Sequence, residues 1–108
     1  MYDLKEVDVY QLKNRINKKD NFILIDVREE FEVEICKLNH SIHIPMNEIP
    51  NEISKINKNE QIIIMCKSGV RSAQVCYFLN DRGYLNVSNL KGGIISWAMN
   101  IDSNMDIY

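Results

Sequence analysis

The chain has 108 residues, of which 45% are hydrophobic and 26% are charged. This length predicts one domain, residues 1–108, with a modest hydrophobic core. The net charge of −2 gives no electrostatic reason to expect a nucleic acid or a membrane as a partner. Residues 1–6 form no apolar leader, no stretch approaches membrane-spanning length, and there are three cysteines, so we expect a reducing, cytoplasmic location.

The first predicted elements are a helix and a buried strand. Asp8 is suited to cap a helix over Val9–Ile16, in which apolar residues recur at helical spacing. Phe22–Ile25 is a continuous apolar run, which is typical of a parallel strand buried on both faces. Asp26 and Arg28 follow this run. We interpret them as an ion pair that supports the end of the strand rather than as catalytic groups.

An acidic segment and a short strand come next. Glu29–Cys36 is predicted to form a helix with Phe31 and Ile35 facing the core. We interpret its carboxylates as a solvated face, and a docking surface for a partner is the alternative. His40 lies just before the short predicted strand Ile42–Ile44 and His43 lies within it, and no other ligand residues cluster with them. The chain therefore predicts neither a metal site nor a cofactor.

The second half of the chain continues the alternation of helices and strands. Four elements are predicted: a helix over Met46–Lys58 with Pro50 in its first turns, a strand over Ile62–Met65, a helix from about Arg71 to a turn at Gly83, and a strand over Asn86–Leu90. Gly92 and Gly93 then let the chain turn into a last helix, in which Trp97 faces the core. This alternation predicts an α/β domain with a mainly parallel sheet and right-handed crossovers.

The segment Ile62–Ser72 carries the chemistry, because an apolar strand runs directly into Cys66 and a turn signal follows. Cys66 is therefore predicted at the carboxyl end of an interior strand, where open α/β sheets place their ligand sites. The N–H groups of residues 67–71 are expected to form an anion cradle at the start of the next helix. With the cations of Lys67 and Arg71 they favour a thiolate, so we predict a reactive sulfur rather than an inert buried thiol.

Four segments resemble the signatures of the rhodanese family, which has the sulfurtransferase fold. They follow the order of that family and span most of the chain: Ile25–Glu29, Ile42–Pro45, Cys66–Ser72 and Leu90–Trp97. The resemblance implies a five-stranded, mainly parallel sheet with helices on both faces. It also implies an enzyme in which Cys66 is the nucleophile, takes sulfur from thiosulfate or a persulfide, and passes it on through a Cys66 persulfide. The loop residues that would bind the donor are Lys67, Ser68, Gly69, Val70 and Arg71.

Two further segments, Glu32–Leu38 and Trp97–Tyr108, are similar to rhodanese domains at the carboxyl end of E1-like adenylyltransferases. This similarity implies partners beyond a small anionic sulfur donor, namely an E1-like adenylyltransferase or a ubiquitin-like sulfur-carrier protein. Cys36 lies in the first segment and is a candidate thiol to receive sulfur from Cys66. Nothing in the sequence places these two cysteines together.

Two other classes of protein remain open. Cysteine phosphatases and arsenate reductases also combine a cysteine, an anion loop and an arginine. The phosphatases carry five residues between the cysteine and the arginine, whereas four residues separate Cys66 from Arg71. The shorter loop favours a single sulfur over a tetrahedral phosphate. The other alternative is a non-catalytic rhodanese-like interaction module, but such modules commonly lack the cysteine that this chain keeps.

Overall fold

The computed structural model describes residues 2–108; Met1, which is part of the predicted domain 1–108, lies outside the described residues. The strands are β1 (Glu6–Val7), β2 (Ile23–Asp26), β3 (Ser41–His43), β4 (Ile62–Met65) and β5 (Val87–Leu90). The helices are α1 (Val9–Asn17), α2 (Glu30–Ile35), α3 (Ile49–Glu52), α4 (Val70–Asp81) and α5 (Gly93–Asn100). Strands and helices alternate because each short apolar run ends in a polar turn and is followed by a segment of helical spacing.

The strands of residues 2–108 form one parallel sheet of five strands in the order β1-β5-β4-β2-β3. This confirms the predicted α/β class and sheet. All four residues of β4 are buried, because the strand pairs on both sides and is covered on both faces. The sequence does not predict β1, because two residues are too few to show a periodic pattern of hydrophobicity. Its ladder to β5 places Glu6 opposite Asn89.

The sheet separates two hydrophobic clusters, because successive side chains of a strand point to opposite faces. On one face, α3 and α4 pack against the sheet through Ile49, Val75 and Leu79. On the other face, α1 and α5 pack through Leu12 and Trp97. Helices therefore flank both faces, as predicted, and Trp97 lies in the core as expected. No helix within residues 2–108 has the length and apolar character needed to cross a bilayer.

The predicted helix ends agree with the structure better than the predicted helix lengths do. Asp8 caps α1 as predicted, since its carboxylate accepts the N–H of Gln11 while the Gln11 side chain accepts the N–H of Asp8. Gly83 has a φ of +91°, which gives the left-handed turn expected after α4. The predicted helix over Met46–Lys58 is wrong as one element, because it is divided into α3 and a 3-10 turn on each side. Pro50 lies in the first turn of α3, where its missing N–H costs nothing.

The predicted orientation of α2 is wrong. Phe31 and Ile35 are 64% and 41% exposed, whereas Glu32 is 4% exposed. Glu32 faces inward because its carboxylate accepts the N–H of Glu29 at 2.8 Å and pairs with Arg71 from α4. These polar partners outweigh the apolar spacing that predicts the opposite face. The interpretation of all the α2 carboxylates as solvated is corrected in the same way, since one of them is buried.

Candidate active site

Cys66 follows β4 directly, and α4 begins at Val70. The N–H of Gly69 donates to Cys66 Sγ at 3.1 Å, and the N–H of Ser72 donates to the same sulfur at 3.4 Å. Gly69 has a φ of +104°, a conformation that side-chain-bearing residues rarely adopt, so this position of the loop favours glycine. Two backbone donors therefore face Sγ and stabilise negative charge on it.

Helix α5 holds the back of the loop. The N–H groups in its first turn donate to the carbonyls of Cys66 and Lys67 at 3.0 and 3.1 Å. Because N–H and C=O point in opposite directions across a trans peptide bond, the N–H groups of Lys67 and Ser68 face away from α5. Gly93 permits this contact, since a Cβ there would lie 2.6 Å from the Cys66 carbonyl oxygen and closer still to that of Lys67.

A group of hydrogen-bonding residues, which we name the cysteine cluster, lies at and around the sulfur: Cys66, Gly69, Ser72 and Asn89. Ser72 Oγ lies 3.2 Å from Cys66 Sγ and donates to Asn89 Oδ1. The Asn89 amide donates to the Gly69 carbonyl at 3.1 Å and to the carboxylate of Glu6 at 3.4 Å. Residues from β1, α4 and β5 therefore meet beside the loop that follows β4.

Two buried cysteines, Cys66 and Cys76, differ in the hydrogen bonds that their sulfur atoms receive. Cys66 is 1% exposed and Cys76 is fully buried in the same core cluster. Burial, with a contribution from the nearby charge of Cys66, raises the pKa of the Cys76 thiol to about 12. Cys76 therefore stays a neutral core residue, whereas Cys66 receives backbone hydrogen bonds that Cys76 lacks within residues 2–108.

A second group, which we name the charged cluster, lies beside the loop: Asp26, Arg28, Glu32, Arg71 and Tyr108. Asp26 and Arg28 are fully buried, and their closest N···O distance is 2.7 Å. Burial opposes the charge on Arg28, but hydrogen bonds to Asp26 and Tyr108 outweigh it and raise the pKa of the guanidinium. Arg28 also donates to the Cys36 carbonyl at 2.7 Å, so the pair ties β2 to the end of α2.

Arg71 turns toward this charged cluster. Its guanidinium donates to both carboxylate oxygens of Glu32, at 2.7 and 2.8 Å. The hydrogen bonds from Arg71 are the main reason that the pKa of Glu32 falls to about 2. The Tyr108 hydroxyl donates to Glu32 Oε1 at 2.8 Å. Binding of the anionic sulfur donor by Arg71 stays a prediction. Any anion that binds the Arg71 guanidinium competes with the Glu32 carboxylate.

The other predicted site residues lie around the rim of the loop. The Lys67 ammonium lies 4.4 Å from the centroid of the Tyr108 ring, in a cation–π contact. Ser68 and Val70 are exposed, and Val70 is 66% exposed. Cys36 packs against the core cluster on the face of the sheet opposite to that of Cys66, so the structure does not bring these two thiols together. No group of three or more His, Cys, Asp or Glu side chains among residues 2–108 is placed to hold a metal ion.

Sequence reasoning misses Asn89 and Glu6, and it also assigns no role at the site to Glu32, Ser72 or Tyr108. Asn89 lies in the predicted strand Asn86–Leu90, where a polar side chain next to Leu90 is the one available signal. It is 2% exposed, and a buried amide needs partners. Glu6 carries no such signal, because its place next to Asn89 depends on the unpredicted strand β1.

The fold is therefore an α/β protein with a parallel sheet. Its site is a cysteine that lies among backbone N–H donors in the loop after the central strand. The family model for rhodanese-like domains matches residues 8–100. The chain belongs to this family, as the sequence predicts.

Individual relatives agree with this placement. The chain is 37% identical over 95 residues to a sulfurtransferase of Allochromatium vinosum, and the match covers 88% of this chain and 89% of that protein. It is 28% identical over 100 residues to the probable adenylyltransferase/sulfurtransferase MoeZ of Mycobacterium tuberculosis, covering 91% of this chain and 26% of that protein. The crystal structure of a rhodanese-like domain protein from Staphylococcus aureus has a TM-score of 0.84 and 31% identity, covering 97% of this chain and 99% of that chain. These similarities support sulfurtransferase activity.

Proposed function

We propose that residues 1–108 act as a single rhodanese-like domain in which Cys66 carries sulfur as a persulfide. The proposal depends on one observation, the two N–H groups of Gly69 and Ser72 directed at Cys66 Sγ. Such donors favour the thiolate, and the thiolate is the form of cysteine that acts as a nucleophile.

The proposed reaction has two steps. The Cys66 thiolate attacks the outer sulfur of thiosulfate, so that a new S–S bond forms while the bond between the two donor sulfurs breaks. Sulfite leaves with the electron pair, and the enzyme holds Cys66–S–S⁻. A nucleophilic acceptor, such as cyanide or another thiolate, then attacks the terminal sulfur, and Cys66 departs as a thiolate.

The surroundings of Cys66 support a small anionic donor. The N–H groups of Lys67 and Ser68 face away from α5 and present positive dipole ends to the open side of the loop. The Lys67 ammonium adds a full positive charge at the same rim. Cys66 is 1% exposed, so a donor must be small enough to pass between the loop residues. Thiosulfate fits both requirements, and so does the terminal sulfur of a persulfide.

The physiological acceptor that we propose is a ubiquitin-like sulfur-carrier protein or a partner of the E1-like adenylyltransferase type. The 28% identity to an adenylyltransferase/sulfurtransferase supports this class of partner. A cytoplasmic location is part of the same proposal and is supported by three free cysteines, which a reducing compartment preserves.

Intact-mass spectrometry after incubation with thiosulfate tests the proposal. We expect the wild type to gain the mass of one sulfur atom, and we expect cyanide to remove it as thiocyanate. Cys66→Ala should gain nothing. Cys36→Ser is the matched control, since it removes a different thiol and should still gain one sulfur.

An unmodified wild type, with Cys66 still open to alkylation, would refute the sulfurtransferase proposal. A sulfur that persists in Cys66→Ala would place the persulfide on another cysteine. Release of phosphate from an aryl phosphate would instead favour the phosphatase alternative.

A further inference from the structure

The Ser72 hydroxyl has two acceptors but only one hydrogen. Its Oγ lies 3.2 Å from Cys66 Sγ and also within hydrogen-bond distance of Asn89 Oδ1. Ser72 and Asn89 are 0% and 2% exposed, so this choice is made away from solvent. Where the hydrogen points therefore depends on the charge of the sulfur and on the strength of the Asn89 acceptor.

The orientation of the Asn89 amide is fixed by its other contacts. Its Nδ2 lies 3.1 Å from the Gly69 carbonyl oxygen and 3.4 Å from a Glu6 carboxylate oxygen, and both of these groups are acceptors. A flipped amide would set its own oxygen against two acceptors and leave both without a donor. Oδ1 must therefore face Ser72, and within residues 2–108 the Ser72 hydroxyl is its hydrogen-bond donor.

The charge on Sγ changes during the proposed reaction. In the thiol, S–H donates to Ser72 Oγ while Ser72 donates to Asn89, so every group has a partner. In the thiolate, the charged sulfur draws the Ser72 hydrogen to itself and leaves the buried Asn89 carbonyl unsatisfied. In the persulfide, the negative charge lies on the terminal sulfur, Sγ is neutral, and the hydrogen returns to Asn89.

We propose that Asn89 is a positioning residue that acts through Ser72 to stabilise the thiol and the persulfide of Cys66 relative to the bare thiolate. Asn89 thereby keeps sulfur on the enzyme until an acceptor arrives. The persulfide part of this inference rests on the proposed function. The thiolate part can be measured without any sulfur donor.

The test is a double-mutant cycle on Cys66 alkylation by iodoacetamide at neutral pH, followed by peptide mass spectrometry. The proteins are the wild type, Asn89→Leu, Ser72→Ala and the double variant. Removing the competing acceptor leaves the Ser72 hydrogen to the thiolate, so Asn89→Leu should raise the alkylation rate about tenfold. In the Ser72→Ala background the same change should alter the rate less than about twofold, because the coupling group is gone.

Each other outcome of the cycle overturns the proposal. A similar increase in both backgrounds would mean that Asn89 acts by holding the loop through Gly69. An unchanged rate in both would mean that Asn89 has no influence on the sulfur. Ser72→Ala alone provides a second check if Asn89→Leu does not fold. We expect it to change the rate less than about threefold, since the hydrogen is shared with Asn89, and a tenfold fall would refute the competition.

Sulfur release separates this inference from the proposed function. After loading with thiosulfate, the Asn89→Leu persulfide should react with cyanide about tenfold faster than that of the wild type, for the same energetic reason. A wild type that never loads sulfur would refute the proposed function while leaving the alkylation cycle interpretable. A wild type that loads sulfur but shows no coupling in the cycle would refute the role of Asn89 alone.

Discussion

The charged cluster and the cysteine cluster lie side by side at the carboxyl edge of the sheet, and both are largely buried. In the charged cluster, full charges face each other, as Arg28 does with Asp26. In the cysteine cluster, the sulfur is contacted by backbone N–H groups and one hydroxyl. The difference shows two uses of burial. Paired ions fix the backbone, whereas backbone dipoles and a hydroxyl stabilise negative charge on the reacting sulfur.

The largest expected effect is a loss of stability when the charged cluster is broken. Arg28→Ala leaves Asp26 as a fully buried carboxylate without its partner, so the free energy of unfolding in urea should fall by about 3–5 kcal/mol. The control is Lys55→Ala, which removes an exposed pair with Glu52 and should cost less than about 1 kcal/mol. Equal losses in the two variants would contradict a special role for the buried pair.

The next effect concerns pH. The folded pKa of Glu32 is about 2, below its ordinary 4.5, so its pairing with Arg71 stabilises the fold above pH 4.5 and is lost as pH falls toward 2. Allowing for the partly exposed Arg71, this loss should be about 2 kcal/mol. The free energy of unfolding of the wild type in urea should therefore fall as the pH is lowered from 4.5 toward 2. Glu32→Gln should be less stable at neutral pH and show a shallower decline. Parallel curves for the two proteins would rule out Glu32 as the titrating group.

A matched pair of glycine substitutions separates the effect of backbone strain on stability from the effect of the Gly69 N–H on the reactivity of Cys66. Gly69 and Gly83 both have positive φ, +104° and +91°, so alanine should cost each about 1–2 kcal/mol of stability. Only Gly69→Ala should also disturb the donor that faces Cys66, and we expect its alkylation rate to fall about tenfold, the effect of one lost charge-assisted hydrogen bond. If Gly83→Ala slows alkylation as much, the effect comes from general loss of stability and the loop geometry is irrelevant.

The smallest expected effect lies at Tyr108, where the charged cluster meets the rim of the loop. Its ring contacts the Lys67 ammonium, and its hydroxyl joins Arg28 to Glu32. Tyr108→Leu removes the ring and should raise the KM for thiosulfate about two- to fivefold, the range of an exposed cation–π contact. Tyr108→Phe keeps the ring and should leave the KM within about twofold. An equal rise in both variants would assign the effect to the hydroxyl.

The features that the sequence predicts well are local ones. The apolar run Ile62–Met65 and the turn signal after it suffice to place Cys66 at a strand end, and Asp8 and Gly83 mark the helix boundaries by their own chemistry. The family resemblance adds the strand count. What fails is the orientation of α2, because Glu32 owes its burial to Arg71, a residue 39 positions away.

The site shows the same division. The loop from Cys66 to Arg71 is contiguous in sequence, so its residues and its positive dipoles can be anticipated. Asn89 reaches Ser72 across 17 positions, and only the pairing of β4 with β5 brings it there. The sequence predicts that Arg71 binds an anionic donor, and in the fold its guanidinium pairs with the Glu32 carboxylate. No pattern in the sequence reveals which of these two partners the guanidinium takes.

The close contact between Gly93 and the carbonyls of Cys66 and Lys67 limits how this protein can be re-engineered. Helix α5 leaves no space behind the loop, so an inserted residue can only bulge outward, away from the sheet. Transplanting residues 66–72 into another scaffold would leave those carbonyls without their donors. A functional graft must therefore carry two pieces of chain, the cysteine loop and the diglycine turn with the first turn of α5.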